Sequence, residues 1–178
     1  VDADISFEPD DFIRVLAFNK PLTAAPYPIK KDGKPEDGDA SMGWCLNFPL
    51  GKYNFKDNVK GFKLCDYVGT GFMCIKREVF ETIINKYPEI EYLSDIHAQI
   101  DNKQLPKGKK EYAFFDCGIQ GQGVLSDPDN TKRYLSEDFY FCQLWKQCNG
   151  QIWADITSEL KHIGIKTYER KPILKRHY

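Results

Sequence analysis

"VDADIS" at residues 1–6, "FEPDDFIRVLAF" at 7–18 and "PLTAAPYPIK" at 21–30 follow one another with almost nothing between them. The middle stretch reads as a helix. Pro9 suits a first helical position, Asp10 and Asp11 favour the positive end of a helix dipole, and Phe12, Ile13, Leu16 and Ala17 repeat at helical spacing. The helix is predicted to stop near Asn19, and Leu22 to Ala25 gives a short strand ahead of a proline-bound loop. With residues 1–6 as an opening strand, a strand, a helix and a second strand fall within the first 26 residues, which predicts a parallel α/β layout.

The rest of the chain keeps that alternation. Residues 30–43, "KKDGKPEDGDASMG", are charged and glycine-rich without apolar period, and read as a surface loop over a cleft. "WCLNFPL" and "GFKLCDYV" are predicted strands around a turn at Asn54 to Lys60. "GTGFMCIKREVFETIINKY" passes from strand to helix, with Val79, Phe80, Ile83, Ile84 and Tyr87 inward and Pro88 closing it. A polar loop at 94–110, a strand at "EYAFFDCGI" and a third loop at "QGQGVLSDPDNTKRY" come next. In "SEDFYFCQLWKQCNG" Ser136 is placed to cap a helix, Phe141, Leu144, Trp145 and Cys148 share one face, and Asn149-Gly150 end it. "QIWADITSELKHIG" supplies short strands and "IKTYERKPILKRHY" a basic tail. No internal repeat divides the chain, so residues 1–178 read as one domain.

Composition sets the class. The 178 residues are 42% apolar and 14% aromatic, enough to bury a core. Against 26 acidic side chains stand 25 basic ones, a net charge of -1, so no global field recruits nucleic acid or an anionic membrane. Apolar runs stay far below the ~20 residues of a membrane span, and no basic segment leads into one near residue 1, which predicts a cytoplasmic protein without a membrane span. The six cysteines are scattered with no C-x-x-C pair. Reduced thiols suit that pattern better than a zinc site, and a disulfide or two stays open.

Several residue groups can carry chemistry. Asp2 and Asp4 share one face of a strand if it stays regular, and two carboxylates on one face repel unless a cation sits between them. Magnesium and manganese are bound by one or two carboxylates plus substrate phosphate oxygens. For a D-x-D taken alone, a solvated strand end is the better account. Glu137 and Asp138 occupy the first turn of a helix, where acids complement the dipole without further reason; the functional alternative is a general base kept ionised by that dipole. His162 lies between apolar residues near a strand end, with Gly164 allowing close backbone approach, whereas His97 and His177 read as ordinary surface or core histidines. "VGTGF" is too short for a phosphate loop and reads as a tight turn, or as a floor on which a ligand packs closely.

Taken in order, the D-x-D strand, "GTGFMCIKREVF", "SEDFYFCQLW" and "IWADITSELKHIG" resemble GT-A-fold glycosyltransferases, especially family-2-like enzymes of bacteria, phages and large viruses. The resemblance runs from Val1 to about Gly164 and is most specific in "GTGFMCIKREVF" combined with "EDFYFCQLWKQCNGQIW". It implies a GT-A-like fold: a mixed, mainly parallel sheet flanked by helices and incomplete on its N-terminal side. It implies metal-dependent, inverting transfer of a sugar from a nucleotide-diphosphate sugar to a hydroxyl of a glycan, lipid or protein acceptor, with Mn2+ or Mg2+ as cofactor. Asp4 would be the direct metal ligand, Asp2 would lie nearer the ribose or a metal-bound water, and His162 would complete the metal shell. Gly69, Thr70 and Gly71 would line the donor-sugar and acceptor side of the cleft. Asp138 would deprotonate the acceptor, with Glu137 in support.

The metal assignment requires the Asp4 carboxylate and the His162 ring to converge near one point. In the family the D-x-D strand follows about 80 to 100 residues that carry the base and ribose pocket, as nucleotide-binding α/β units generally do. Here the motif stands at residues 2–4. The expectation is therefore a chain lacking that half, either a fragment, or a protein completed by another chain, or one that has lost donor binding. The last case keeps a second class open, a non-catalytic GT-A-like remnant acting as a carbohydrate-binding or structural interaction module. A metal-dependent phosphohydrolase or nucleotidyltransferase also uses paired aspartates, but leaves the Gly-Thr-Gly and Ser-Glu-Asp motifs unexplained.

Overall fold

A computed structural model describes residues 1–30, 43–49, 55–94, 109–165 and 167–169. Most of the loops predicted at 30–43 and 94–110, and most of the basic tail, lie outside the described residues.

In chain order the elements are β1 (Ile5–Ser6), α1 (Pro9–Ala17), β2 (Leu22–Ala24), β3 (Leu46–Asn47), β4 (Phe62–Cys65), β5 (Tyr67–Val68), β6 (Met73–Ile75) and α2 (Arg77–Lys86). They continue with β7 (Glu91–Ser94), β8 (Lys109–Tyr112), β9 (Gly118–Ile119), β10 (Tyr134–Leu135), α3 (Glu137–Gln147), β11 (Ile152–Asp155), β12 (Lys161–Ile163) and β13 (Thr167–Tyr168). The class is mixed α/β.

At the centre is a four-stranded mixed sheet in the order β4-β11-β2-β6. Its alternation sorts side chains into two layers, as a period of two requires. Leu22, Ala24, Cys65, Ile152 and Ala154 face the larger core with Val79 and Ile83 of α2 and Phe141 and Leu144 of α3. Phe62 and Trp153 face the other way, into a smaller core with Val15 of α1, Tyr27, Phe72 and Leu160. Helices therefore cover both faces of one sheet.

The expectation of a mainly parallel sheet is corrected. Among the described pairings only β11 with β2 is parallel, with Trp153 opposite Thr23 and Ala154 opposite Ala24, and β4 and β6 flank them antiparallel. Nor does β1 pair with β2. Both edges of β2 are taken by β11 and β6, and β1 joins β12 and β13 in a separate three-stranded sheet. The stretch "EYAFFDCGI" also divides in two: β8 begins earlier, at Lys109, and pairs with β7, whereas Gly118–Ile119 pairs with β10.

Helix α1 forms for the reasons read from its sequence. Pro9 is in its first turn, and Glu8 and Asp11 close a reciprocal capping box in which Glu8 N donates to Asp11 Oδ2 at 3.1 Å. Its buried face is not the one that Phe12, Ile13, Leu16 and Ala17 make. Asp11 and Val15 are buried, while Phe12, Ile13 and Leu16 are 45%, 58% and 48% exposed and Ala17 is exposed as well. The rotation follows from Arg14, whose guanidinium binds the fully buried Asp155 at 2.8 and 3.1 Å and places the 11, 14, 15, 18 stripe on the sheet.

Candidate functional site

The β1–β12 ladder brings residues 5 and 6 beside residues 161 and 162. Ile5 is opposite His162, and Ile163 N donates to Asp4 O at 2.8 Å. Asp2 and Asp4 do not share the face of a regular strand as expected. Residues 3 and 4 form a turn closed by Ile5 N donating to Asp2 O at 3.2 Å, and the strand begins only at Ile5. The turn separates the two carboxylates: Asp2 is exposed, and Asp4 is half-buried against His162.

His162 Nε2 lies 3.2 Å from Asp4 Oδ2, across 158 positions of sequence. Its other nitrogen, Nδ1, is 2.9 Å from Pro28 O. A carbonyl oxygen only accepts, so Nδ1 carries a proton, and Nε2 faces the carboxylate either as a second N–H or with its lone pair. The lone-pair form sets two electron-rich atoms face to face, an arrangement that a cation between them would satisfy. Carbonyl-held Nδ1 with Nε2 free is also how metal-ligating imidazoles are oriented. The Lys30 ammonium already stands on Asp4 Oδ2 at 2.7 Å and, ahead of His162, holds that carboxyl below its usual range.

Asp4 and His162 are the pair that could hold a divalent ion, with the Lys30 ammonium on the same carboxylate oxygen. Among the described residues no group of three or more His, Cys, Asp and Glu side chains that could hold a metal is found. Asp2 is tied by its backbone, its N–H donating to Gly71 O at 2.9 Å.

That bond leads to the glycine motif, where the close-packed partner is a side chain of the protein itself. The hydroxyl end of the Tyr27 ring packs on the turn: a Cβ on Gly71 would meet Tyr27 Cε1 at 2.6 Å, and one on Gly69 would meet both Tyr27 Oη and Cys45 Sγ at 2.4 Å. Gly71 N donates to Tyr27 Oη at 3.3 Å, and the Tyr27 ring meets the His162 ring edge to face at 5.1 Å. Thr70, half-buried, opens the short 3-10 turn Thr70–Phe72. Burial, and then the neighbouring Cys45, push the Tyr27 phenol far above its usual range, so it stays a neutral hydroxyl.

Cys45 passes the contact on to α3. Its Sγ lies 3.9 Å from Asp138 Oδ2, and burial raises the thiol while the Tyr27 hydroxyl offsets part of that rise. Asp138 is 9% exposed. Ser136 sits in the cap position with extended backbone but does not cap through its side chain; its hydroxyl donates to Asp138 Oδ1, which also accepts from Phe139 N at 2.8 Å. Glu137, one residue earlier, is exposed.

The result is an unbroken run of contacts, Asp4 to His162 to Tyr27 to Cys45 to Asp138, with the Gly69–Gly71 turn beneath it. Sequence reasoning missed Tyr27, Lys30 and Cys45. A usable signal existed for Tyr27, since Pro26 and Pro28 bracket it and pre-set an extended, rigid backbone. Lys30 and Cys45 carried none, because their roles depend on partners 26 and 93 positions away. No protein-family model, no curated protein and no solved structure matches the chain.

Proposed function

We propose that this chain is a GT-A-like domain, the metal- and acceptor-binding part of a glycosyltransferase that moves a sugar from a nucleotide-diphosphate sugar to an acceptor hydroxyl with inversion. The observation that supports this most is the approach of Asp4 Oδ2 and His162 Nε2 to 3.2 Å. Asp4 and His162 would hold a Mn2+ or Mg2+ ion, which would supply Lewis-acid stabilisation of the charge that grows on a diphosphate leaving group.

The remaining work belongs to the chain's own side chains. Pro28 O fixes the His162 ring so that Nε2 keeps its direction without being ordered by substrate. Asp138 accepts the proton of the acceptor hydroxyl through Oδ2, whose contact with Cys45 is long and weak, while Ser136 and Phe139 N hold Oδ1 still. Glu137, exposed in the same turn, orients the acceptor. Gly69, Thr70 and Gly71 shape the donor-sugar side, with Tyr27 keeping their backbone in place. Attack on one side of the sugar and departure on the other invert the anomeric centre in a single displacement.

The test is hydrolysis of a panel of nucleotide-diphosphate sugars with Mn2+, by the full-length protein and by its Asp4→Ala variant. Loss of metal-dependent turnover in the variant is expected, and equal turnover by both overturns the metal assignment. Asp138→Asn should lower transfer about 10²- to 10⁴-fold, the range of general-base catalysis. A second reading has its own observation, because both Asp138 oxygens already have partners, as in a carboxylate that only secures a helix start. Under it the chain is a non-catalytic GT-A-like module that binds carbohydrate or a partner, and Asp138→Asn costs stability with no turnover to lose.

A further inference from the structure

Lys30 has no part in the chemistry above, yet it stands at its centre. Its Nζ is 2.7 Å from Asp4 Oδ2, the same oxygen that His162 Nε2 approaches at 3.2 Å. The side chains of Lys30 and Asp4 are 37% and 44% exposed, so the contact is open to solvent and to exchange. The backbone leading into Lys30 is anchored: Ile29 N donates to Gly43 O at 2.9 Å, Pro28 bridges Trp44, and Pro28 O holds His162 Nδ1. One short segment therefore grips the imidazole with Pro28 and the carboxylate with Lys30. An ammonium is a compact point cation with three donors, the protein group nearest in kind to a small metal ion.

We propose that Lys30 is a built-in competitor for the cation: its ammonium neutralises Asp4 while no metal is present, and a divalent ion binds only by displacing it. The proposal rests on the metal reading of Asp4 and His162. It gives the free protein a weak metal site. Two protein ligands, one of them already ion-paired, make the donor diphosphate the main source of coordinating oxygens, so metal and donor arrive together. The displaced ammonium is left next to an incoming polyanion, with which it pairs as it did with Asp4.

The probe is Mn2+ alone, without nucleotide sugar, its free fraction read by electron paramagnetic resonance during titration of the protein and its variants. Lys30→Met and Lys30→Gln should bind Mn2+ about tenfold more tightly than the wild type, from removing an adjacent unit charge and the pair it forms. Lys30→Arg, which keeps the charge, should stay near the wild-type value, and Asp4→Asn should bind none. Two neutral replacements guard against one that misfolds, with circular dichroism reporting the fold of each. If both neutral variants bind Mn2+ no more tightly than wild type while Asp4→Asn abolishes binding, the competitor role is overturned and the metal site stands. If Lys30→Met and Lys30→Gln fold but bind no Mn2+ at millimolar concentration, the metal reading and the competitor role fall together.

Discussion

Tyr27 occupies the space that two missing Cβ atoms leave open. Because its ring lies within van der Waals contact of the Gly69–Gly71 backbone, either glycine is replaceable only if the ring moves, and the ring is held by His162 on one side and Cys45 on the other. Gly71→Ala is therefore expected to destabilise the fold by about 1–3 kcal/mol, the usual cost of overpacking, measured by urea unfolding. The thiols differ as sharply at this scale. Burial pushes Cys142 up to about 12 and Cys65 well above the ordinary range, whereas Cys117 is exposed. A thiol becomes nucleophilic only as a thiolate, which a raised value makes scarce at neutral pH. Iodoacetamide at pH 8 should label Cys117 first and leave Cys65 and Cys142 unmodified until the protein unfolds, as read by mass spectrometry of the peptides.

Helix α1 shows how one tertiary contact chooses among the faces of an element. Phe12, Ile13 and Leu16 offer an apolar stripe, but the stripe that docks is the one carrying Arg14 and Val15, since Asp155 is fully buried and requires its charged partner. Val15→Ala should cost about 2 kcal/mol for the lost burial and residual cavity, while Phe12→Ser should stay within about 0.5 kcal/mol of wild type. Equal costs would mean that the Phe12 stripe docks as well. Helix α3 needs no such choice. Residues Tyr140 to Trp145 are all buried, because the helix lies between β5, α2 and β10, and its one buried acid, Asp138, finds partners in Ser136, Phe139 N and Cys45.

For the molecule as a whole, Asp155 ties α1 to the turn that leads into the strand carrying His162. It accepts both Arg14 bonds from α1 and those of Thr157 N at 3.0 Å and Thr157 Oγ1 at 2.6 Å, which shape the turn between β11 and β12. Removing it leaves a cation over an apolar face and a turn without its acceptor. Asp155→Ala is expected to cost about 3 kcal/mol, as for other broken buried pairs, and, under the proposed metal reading, to loosen β12 enough to weaken Mn2+ binding at Asp4 and His162 as well. Thermal unfolding and Mn2+ titration of the same variant check both effects. An intact Mn2+ affinity in a destabilised variant would separate the site from this tie. Among the described residues no helix is long and apolar enough to cross a membrane.

The sequence by itself determined what local chemistry controls. Pro9 and the acids after it start α1, Val79 and Ile83 mark the buried side of α2, and "FYFCQLW" makes α3 a core helix, since caps and period act within one or two turns. Asp4, His162 and Asp138 were singled out by the resemblance, each residue type alone being as well explained by an ordinary structural role. Only the tertiary structure decided that Asp4 and His162 meet, that Asp2 turns away, that the strands run mostly antiparallel, and that Tyr27 fills the glycine turn. These depend on which strand completes the hydrogen bonds of another far away in sequence, with β2 already taken on both edges and β1 left to β12. Such choices are settled by competition among backbone donors and acceptors across the whole chain, which no window of the sequence contains.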